Sequence, residues 1–244
     1  MSTLFISDLH LQPSRPELVR AALAFLRDTA RGAQALYILG DLFEAWIGDD
    51  DDAPWLDEFG AALAQLAQSG TALYFMHGNR DFLLGETFAA RCDLRLLAEP
   101  TVIDLYGRPA LLLHGDSLCT QDSDYMAFRA QVRNPLWQQA VLAKPLAERR
   151  QLAGALRSES LKAGQIKSQE ITDVTPAEVD KLMAELGVDL LIHGHTHRPA
   201  RHSLRIGDAS AERIVLGDWD RCGWYLRATP DGALDLVQFP LAAA

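Results

Sequence analysis

Five short polar clusters punctuate the sequence, each directly after an apolar run. Asp8-Leu9-His10 follows Leu4-Phe5-Ile6, and Gly40-Asp41 follows the run from Ala35 to Leu39. Gly78-Asn79-Arg80-Asp81 comes after the run from Ala72 to Met76, and His114-Gly115-Asp116 after Leu113. His193-Gly194-His195-Thr196-His197 follows Leu190-Leu191-Ile192. Such a mixture of carboxylate, amide and imidazole donors suits hard or borderline divalent cations. In Asp8-Leu9-His10 the alternation of an extended chain aims both side chains one way, giving one ion a carboxylate and an imidazole. His195 and His197 repeat that spacing. Asp41 has two oxygens with which to bridge two ions, and Asn79 offers a neutral one. Mixed oxygen and nitrogen donors without cysteine favour Mn²⁺ or a similar six-coordinate ion over a structural zinc. One such Asp or His alone is more often a surface or satisfied core residue; the expectation rests on five clusters in order.

Donors so far apart in sequence need a rigid frame, and the apolar runs before them read as its strands. Residues at strand ends are held by the sheet yet left exposed by the loop. The glycines beside them let backbone approach a site that a side chain would block. Between the strands, residues 17–30 and 55–67 have helical spacing, the second closed by Gly70. A further strand is expected at 109–113, a helix at Pro176–Leu186 and a strand at 189–192. Short strands follow at 203–206, 214–216, 224–227 and 234–239. This rhythm predicts a layered α/β domain with helices outside the sheets. From 122 to about 167 the rhythm gives way to helical composition, which reads as an insertion over 120–170 between core segments 1–119 and 171–244.

The bulk properties narrow the function classes. The chain has 244 residues, 48% apolar and 23% charged, the balance of a globular protein rather than a disordered or fibrous one. Its net charge of −10 argues against broad nucleic-acid binding, which needs a basic face. Cys92, Cys119 and Cys222 have no metal-ligand or redox spacing and read as reduced thiols of a cytosolic protein. No secretory signal is expected at residues 1–11, which read as a strand running into Asp8 and His10, and no run is long and apolar enough for a transmembrane helix. Residues 120–170 carry a net charge of +3, leaving −13 for the rest. A basic, apolar insertion on an acidic body suits an amphiphilic anion, or is simply a helical hairpin with a solvated side.

The motif order Asp-x-His, Gly-Asp, Gly-Asn-Arg-Asp, His-Gly-Asp and Gly-His-Thr-His, spread from Asp8 to His197, resembles the calcineurin-like metallophosphoesterases. Where that superfamily commonly has His after the Asn, this chain has Arg80. The stretches Ser-Asp-Leu-His-Leu at 7–11, Gly-Asp-Leu-Phe-Glu-Ala-Trp-Ile-Gly-Asp at 40–49, Gly-Asn-Arg-Asp-Phe-Leu at 78–83, Gly-His-Thr-His-Arg-Pro at 194–199 and Leu-Gly-Asp-Trp at 216–219 resemble one member family, the UDP-2,3-diacylglucosamine diphosphatases of the bacterial lipid A pathway. The resemblance implies a two-sheet β-sandwich flanked by helices, with 120–170 as a lipid-binding helical cap. It implies two Mn²⁺ per chain: Asp8, His10, Asp41 and His197 holding one, Asp41, Asn79, His114 and His195 the other. It implies substrate contacts at Asn79, Arg80, Asp122, Ser160, Gly164, Lys167 and His195, with Asn79, Arg80 and His195 catalytic. The implied reaction is hydrolysis of the diphosphate of UDP-2,3-diacylglucosamine. Water attacks the α-phosphorus to give UMP and 2,3-diacylglucosamine 1-phosphate (lipid X). The implied location is peripheral, on the cytoplasmic face of the inner membrane, with no nucleic acid and no obligate protein partner.

Other residues find roles within that frame. A guanidinium grips two phosphate oxygens at once, so Arg80 reads as a phosphate clamp, with Arg80 and His195 neutralising developing charge. Asp81 and Asp116 are expected to orient the ligand imidazoles, since a bound His usually donates its other N–H to a carboxylate or carbonyl. Trp46, Phe82, Tyr125, Phe128, Leu136, Trp137, Leu142 and Leu152 are candidates to line an acyl site, or are ordinary core of a helical cap. Arg149, Arg150 and Arg157 read equally as lipid-facing or as a solvated helix face. The acidic run at 49–52 is expected to be a solvated loop, His77 and His193 structural, and His202 on the surface. Three rivals remain: a phosphoesterase for cyclic nucleotides or phosphoproteins, a scaffold that has lost its metals, and a nuclease.

Overall fold

The computed structural model describes residues 1–166 and 171–241, and of residues 159–166 the backbone alone. The first sheet is built from β1 (Thr3–Ile6), β2 (Ala35–Leu39), β3 (Ala72–Met76) and β4 (Leu94–Leu97), all parallel. The chain then crosses to the second sheet through β5 (Thr101–Leu105), β6 (Arg108–Leu112) and β7 (Leu190–His193), followed by β8 (Ala200–Ile206) and β9 (Ala209–Val215). It returns to the first through β10 (Cys222–Ala228) and β11 (Leu234–Pro240). The strand orders are β11-β10-β1-β2-β3-β4 and β5-β6-β7-β9-β8.

The sequence explains the layering. Every residue of β2 is buried, as expected of a parallel strand covered on both faces. Phe5, Tyr37, Leu39 and Met76 meet Leu112, Leu190, Ile192 and Ile214 between the sheets. Leu36, Ile38 and Phe75 face the other way, against α1 (Pro16–Ala24), α2 (Pro54–Gln68) and α3 (Glu86–Arg91). Behind the second sheet, Leu111 and Leu191 pack on Val179 and Met183 of α7 (Pro176–Leu186), which opens on Pro176 and ends on left-handed Gly187.

Some local expectations shift. The helix expected over 17–30 ends in a wider turn, Phe25–Thr29, where Ala30 N bonds Phe25 O at 2.9 Å. β4, β5 and α3 give no clear sequence signal, because each is short and the two strands are half-exposed edge strands.

Among the described residues, three α-helices stand between β6 and α7: α4 (Ser123–Val132), α5 (Pro135–Leu142) and α6 (Leu146–Ile166). Val141, Trp137 and Leu152 pack into the same core cluster as Trp46 and Phe82. The acidic run at 49–52 is solvated only in part: Asp50 and Asp52 are exposed, yet all four carboxylates have partners. Asp49 accepts from Trp46 Nε1 and from the Gly85 and Phe88 amides at the start of α3. Arg149 donates to both carboxylate oxygens of Asp50 and to Ile47 O at 2.6 Å, while Arg150 pairs with Asp51 and Asp52. Both arginines tie α6 to the body, Arg149 from a buried position and Arg150 from a half-exposed one on the solvated face.

Arg149 is only 4% exposed, so Arg149→Ala leaves the buried Ile47 carbonyl unmet. It should lower unfolding stability by about 1–3 kcal/mol. Arg150→Ala, at an exposed pair, should leave the urea midpoint unmoved, and equal midpoint shifts would contradict the assignment.

Candidate active site

The five polar clusters converge on one edge of the sandwich, past the C-terminal ends of β1, β2, β3, β6 and β7. The backbone there is unusual: Asp8, His10, Asp41, His195 and His197 all have positive φ, between 49° and 68°. Each such non-glycine conformation costs on the order of 1–3 kcal/mol and persists only where its surroundings impose it. Strand alternation therefore does not aim these side chains; left-handed turns do.

Two donor groups result. In the first, His10 Nε2 lies 3.2 Å from His197 Nε2, which lies 3.4 Å from Asp8 Oδ1. Asp41 Oδ2 is 3.9 Å from His10 Nε2. In the second, Asn79 Oδ1 lies 3.0 Å from His114 Nε2 and 2.9 Å from His195 Nδ1. Asp41 Oδ1 is 3.8 Å from His114 Nε2, so Asp41 turns one oxygen to each group. His195 and His197 face different groups, against the simple expectation that their spacing serves one ion.

Asp8 shows what these groups suit. Its Oδ2 accepts from Ser7 Oγ at 2.6 Å and from the His195 amide at 2.9 Å, whereas Oδ1 is buried without a hydrogen-bond donor. A buried, unmet carboxylate oxygen facing imidazole nitrogen has the chemistry of a cation ligand, so the residues present fit a divalent metal ion. Electrostatics agree. Burial opposes charge on His114, yet Asp41 and Asp8 outweigh it and push the imidazole up to about 9. Burial likewise opposes charge on Asp8, but His197, His114 and His10 hold its carboxyl well below the usual range. His195 is pushed down to about 4 by burial and then by His114.

The supports differ from those expected. Asp81 accepts the amides of Leu42 and Gly78, both at 2.8 Å, and so fixes the backbone beside Asp41 and Asn79 rather than an imidazole. Asp116 takes Tyr125 and Arg129. The imidazoles rest instead on Leu39 O, 2.8 Å from His114 Nδ1, on Glu44, 3.0 Å from His10 Nδ1, and on Asp218, 3.6 Å from His197 Nδ1. Glu44 and Asp218 were visible only as members of the quoted stretches 40–49 and 216–219. His77, bonded to Leu84 O, and buried His193 hold structural positions. His202 is partly covered on β8.

A cavity of about 760 Å³ opens from these donors into the three inserted helices. Asn79, Arg80, Asp122 and His195 line it, as do Trp46, Phe82, Tyr125, Phe128, Trp137 and Leu152. Leu136 and Leu142 lie outside it, 74% and 41% exposed. Arg157 also reaches it and pairs with Glu44. Ser160 and Gly164 lie on α6 with side chains beyond the description, and Lys167 is outside the described residues.

The family model for calcineurin-like phosphoesterases matches residues 1–199. A protein of Cellvibrio japonicus named UDP-2,3-diacylglucosamine hydrolase is 61% identical over 232 residues, 95% of this chain and 97% of its own length. The chain belongs to the calcineurin-like phosphoesterases, in the UDP-2,3-diacylglucosamine hydrolase family. Proteins of the same name in Pseudomonas aeruginosa and Stenotrophomonas maltophilia are each 54% identical, covering 99% and 95% of this chain and 100% and 96% of their own. Like the fold, this membership bears out the resemblance, and it makes a metal-dependent hydrolase the frame for the donor groups.

In this phosphoesterase Gly78 packs against Asp41 so closely that an added Cβ would overlap its amide and Oδ1. Gly78→Ala should displace Asp41 from both donor groups and weaken divalent-metal binding by about tenfold or more, measured by calorimetric titration. Unchanged affinity would show that Asp41 is not held from that side.

Proposed function

We propose that this chain hydrolyses the diphosphate of UDP-2,3-diacylglucosamine, water attacking the α-phosphorus to release UMP and 2,3-diacylglucosamine 1-phosphate. The observation that carries this reading is the continuity of one cavity, with buried carboxylates and imidazoles at one end and aromatic walls under the inserted helices at the other. A substrate that fills it is both anionic and acylated. The names of the relatives supply the same substrate.

Two Mn²⁺ are assigned, one to Asp8, His10, Asp41 and His197, the other to Asp41, Asn79, His114 and His195. Such a pair, when bound, activates water and neutralises phosphoryl charge. Arg80 lines the cavity beside Asn79, and its amide donates to Asp41 Oδ1 at 2.8 Å. Its guanidinium grips the diphosphate in the two-pronged manner imidazole lacks. Burial and then His114 push His195 down to about 4, which suits its imidazole to hold a cation. Asn79 anchors both imidazoles of its group, and Asp122, Ser160, Gly164 and Lys167 complete the substrate contacts.

Residues 1–119 and 171–244 then form the catalytic core and 120–170 the lipid-binding cap. Trp46, Phe82, Phe128, Trp137 and Leu152 shelter acyl carbon, each CH₂ contributing about 0.8 kcal/mol. Leu136 and Leu142, exposed on α5, are suited to meet the cytoplasmic face of the inner membrane. No helix among the described residues is long and apolar enough to cross it.

The test sets the acylated UDP-sugar against soluble phosphodiesters in parallel assays with Mn²⁺. Preference for the soluble esters by orders of magnitude would defeat the proposal. Asp41→Ala should abolish turnover. Arg80→Ala should lower it by about a hundredfold with metal content unchanged; equal loss of metal would make Arg80 a structural residue.

A further inference from the structure

The inserted helices do not serve the two donor groups equally. Arg133, the residue that ends α4, donates to the carbonyls of His77 at 3.2 Å and Gly78 at 2.9 Å, directly before Asn79. Arg129 donates to Glu99 Oε2 at 2.7 Å, and Glu99 Oε1 accepts the His114 amide at 2.8 Å. Arg129 Nε and the Tyr125 hydroxyl both donate to Asp116 Oδ2, at 2.9 and 2.6 Å, two residues beyond His114. The Tyr125 ring lies 5.9 Å from that of His195. One face of this helix, from Tyr125 in its first turn to Arg133 at its C-terminal end, thus supports the loops of Asn79 and His114 and packs beside His195. Among the described residues, no hydrogen bond or ion pair joins α4 to Asp8, His10 or His197; His10 is backed by Glu44, whose partner Arg157 belongs to α6.

Glu99 makes the connection physical. It sits where the chain crosses from β4 to β5, it is largely buried, and it spends one oxygen on the His114 backbone and the other on Arg129. Without Arg129 it would be a buried carboxylate beside Asp116, and repulsion between the two would loosen the loop that aims His114.

We propose that Arg129 and Arg133, with Glu99 as the bridge, are positioning residues for the Asn79, His114 and His195 group, so that docking of α4 completes one of two cation sites selectively. Tyr125 and Phe128 on the same helix line the cavity, so filling the cavity and completing that site are linked, and the linkage is reciprocal.

The inference rests on the two-cation reading, and the unaltered protein tests that first. Calorimetric titration of metal-free full-length chain with Mn²⁺ should show two ions bound per chain in two steps; a stoichiometry below two defeats the reading itself. Given two steps, Arg129→Ala, Arg133→Ala and Glu99→Gln should each weaken the same one by about tenfold or more, leaving the other within about twofold. Arg129→Lys should recover part of the loss. A merely structural role would weaken both steps together or lower only the melting temperature, and either result overturns the proposal. Should Arg129→Ala fail to fold, Arg133→Gln, at a position 22% exposed, carries the same comparison.

Discussion

Two carboxylates, Asp8 and Asp41, are held in this protein with at most 2% exposure, and the polar ends of five strand loops are arranged around them. Burying charge is expensive unless a cation, a proton or hydrogen-bond donors meet it. Here donors meet only part of it. Ser7 and the His195 amide satisfy one oxygen of Asp8, and the Arg80 amide satisfies one of Asp41. What remains faces imidazoles, and the elevated proton affinity of His114 is the metal-free answer to a demand that a divalent ion meets better. The left-handed turns at Asp8, His10, Asp41, His195 and His197 are the conformational cost of assembling that demand.

That cost is tolerable because the frame is stiff. The strands ending at the site are buried between sheet and helices or between the sheets, so their ends have little freedom. Backbone contacts then lock the loops together: Asp8 N to Gly40 O, His10 N to Asp41 O, Trp219 N to Asp8 O. Asp81 acts in the same way, spending its carboxylate on the amides of two neighbouring loops.

The inserted helices turn the edge that carries the donor groups into a cavity with aromatic walls. Among the described residues, Arg149 and Arg150 pair with the acidic run and Arg157 with Glu44, so part of the local positive charge fixes the cap to the acidic body. Once attached, the helices offer aromatic side chains to the cavity and hydrogen bonds to the loops beneath. Binding wall and donor support therefore share elements, above all α4.

Much of this was legible in the sequence. Apolar runs ending in Asp, Asn and His located the strands and the polar groups that converge at their ends, because a buried parallel strand must be continuously apolar and its C-terminal loop is where polar groups surface. The motif order was enough to place the chain in its family. The rest depended on contacts between residues distant in the chain. The spacing of His195 and His197 does not itself show that they part to different groups, as the resemblance implied, since backbone turns imposed by neighbouring loops decide their directions. Nor does composition reveal that the acidic run at 49–52 clamps α3 and α6, or that Glu44 and Asp218 rather than Asp81 and Asp116 back the imidazoles. Sequence fixes which groups are present; only packing across the fold decides which of them meet, because distances between side chains far apart in the chain are set by the sheets that carry them.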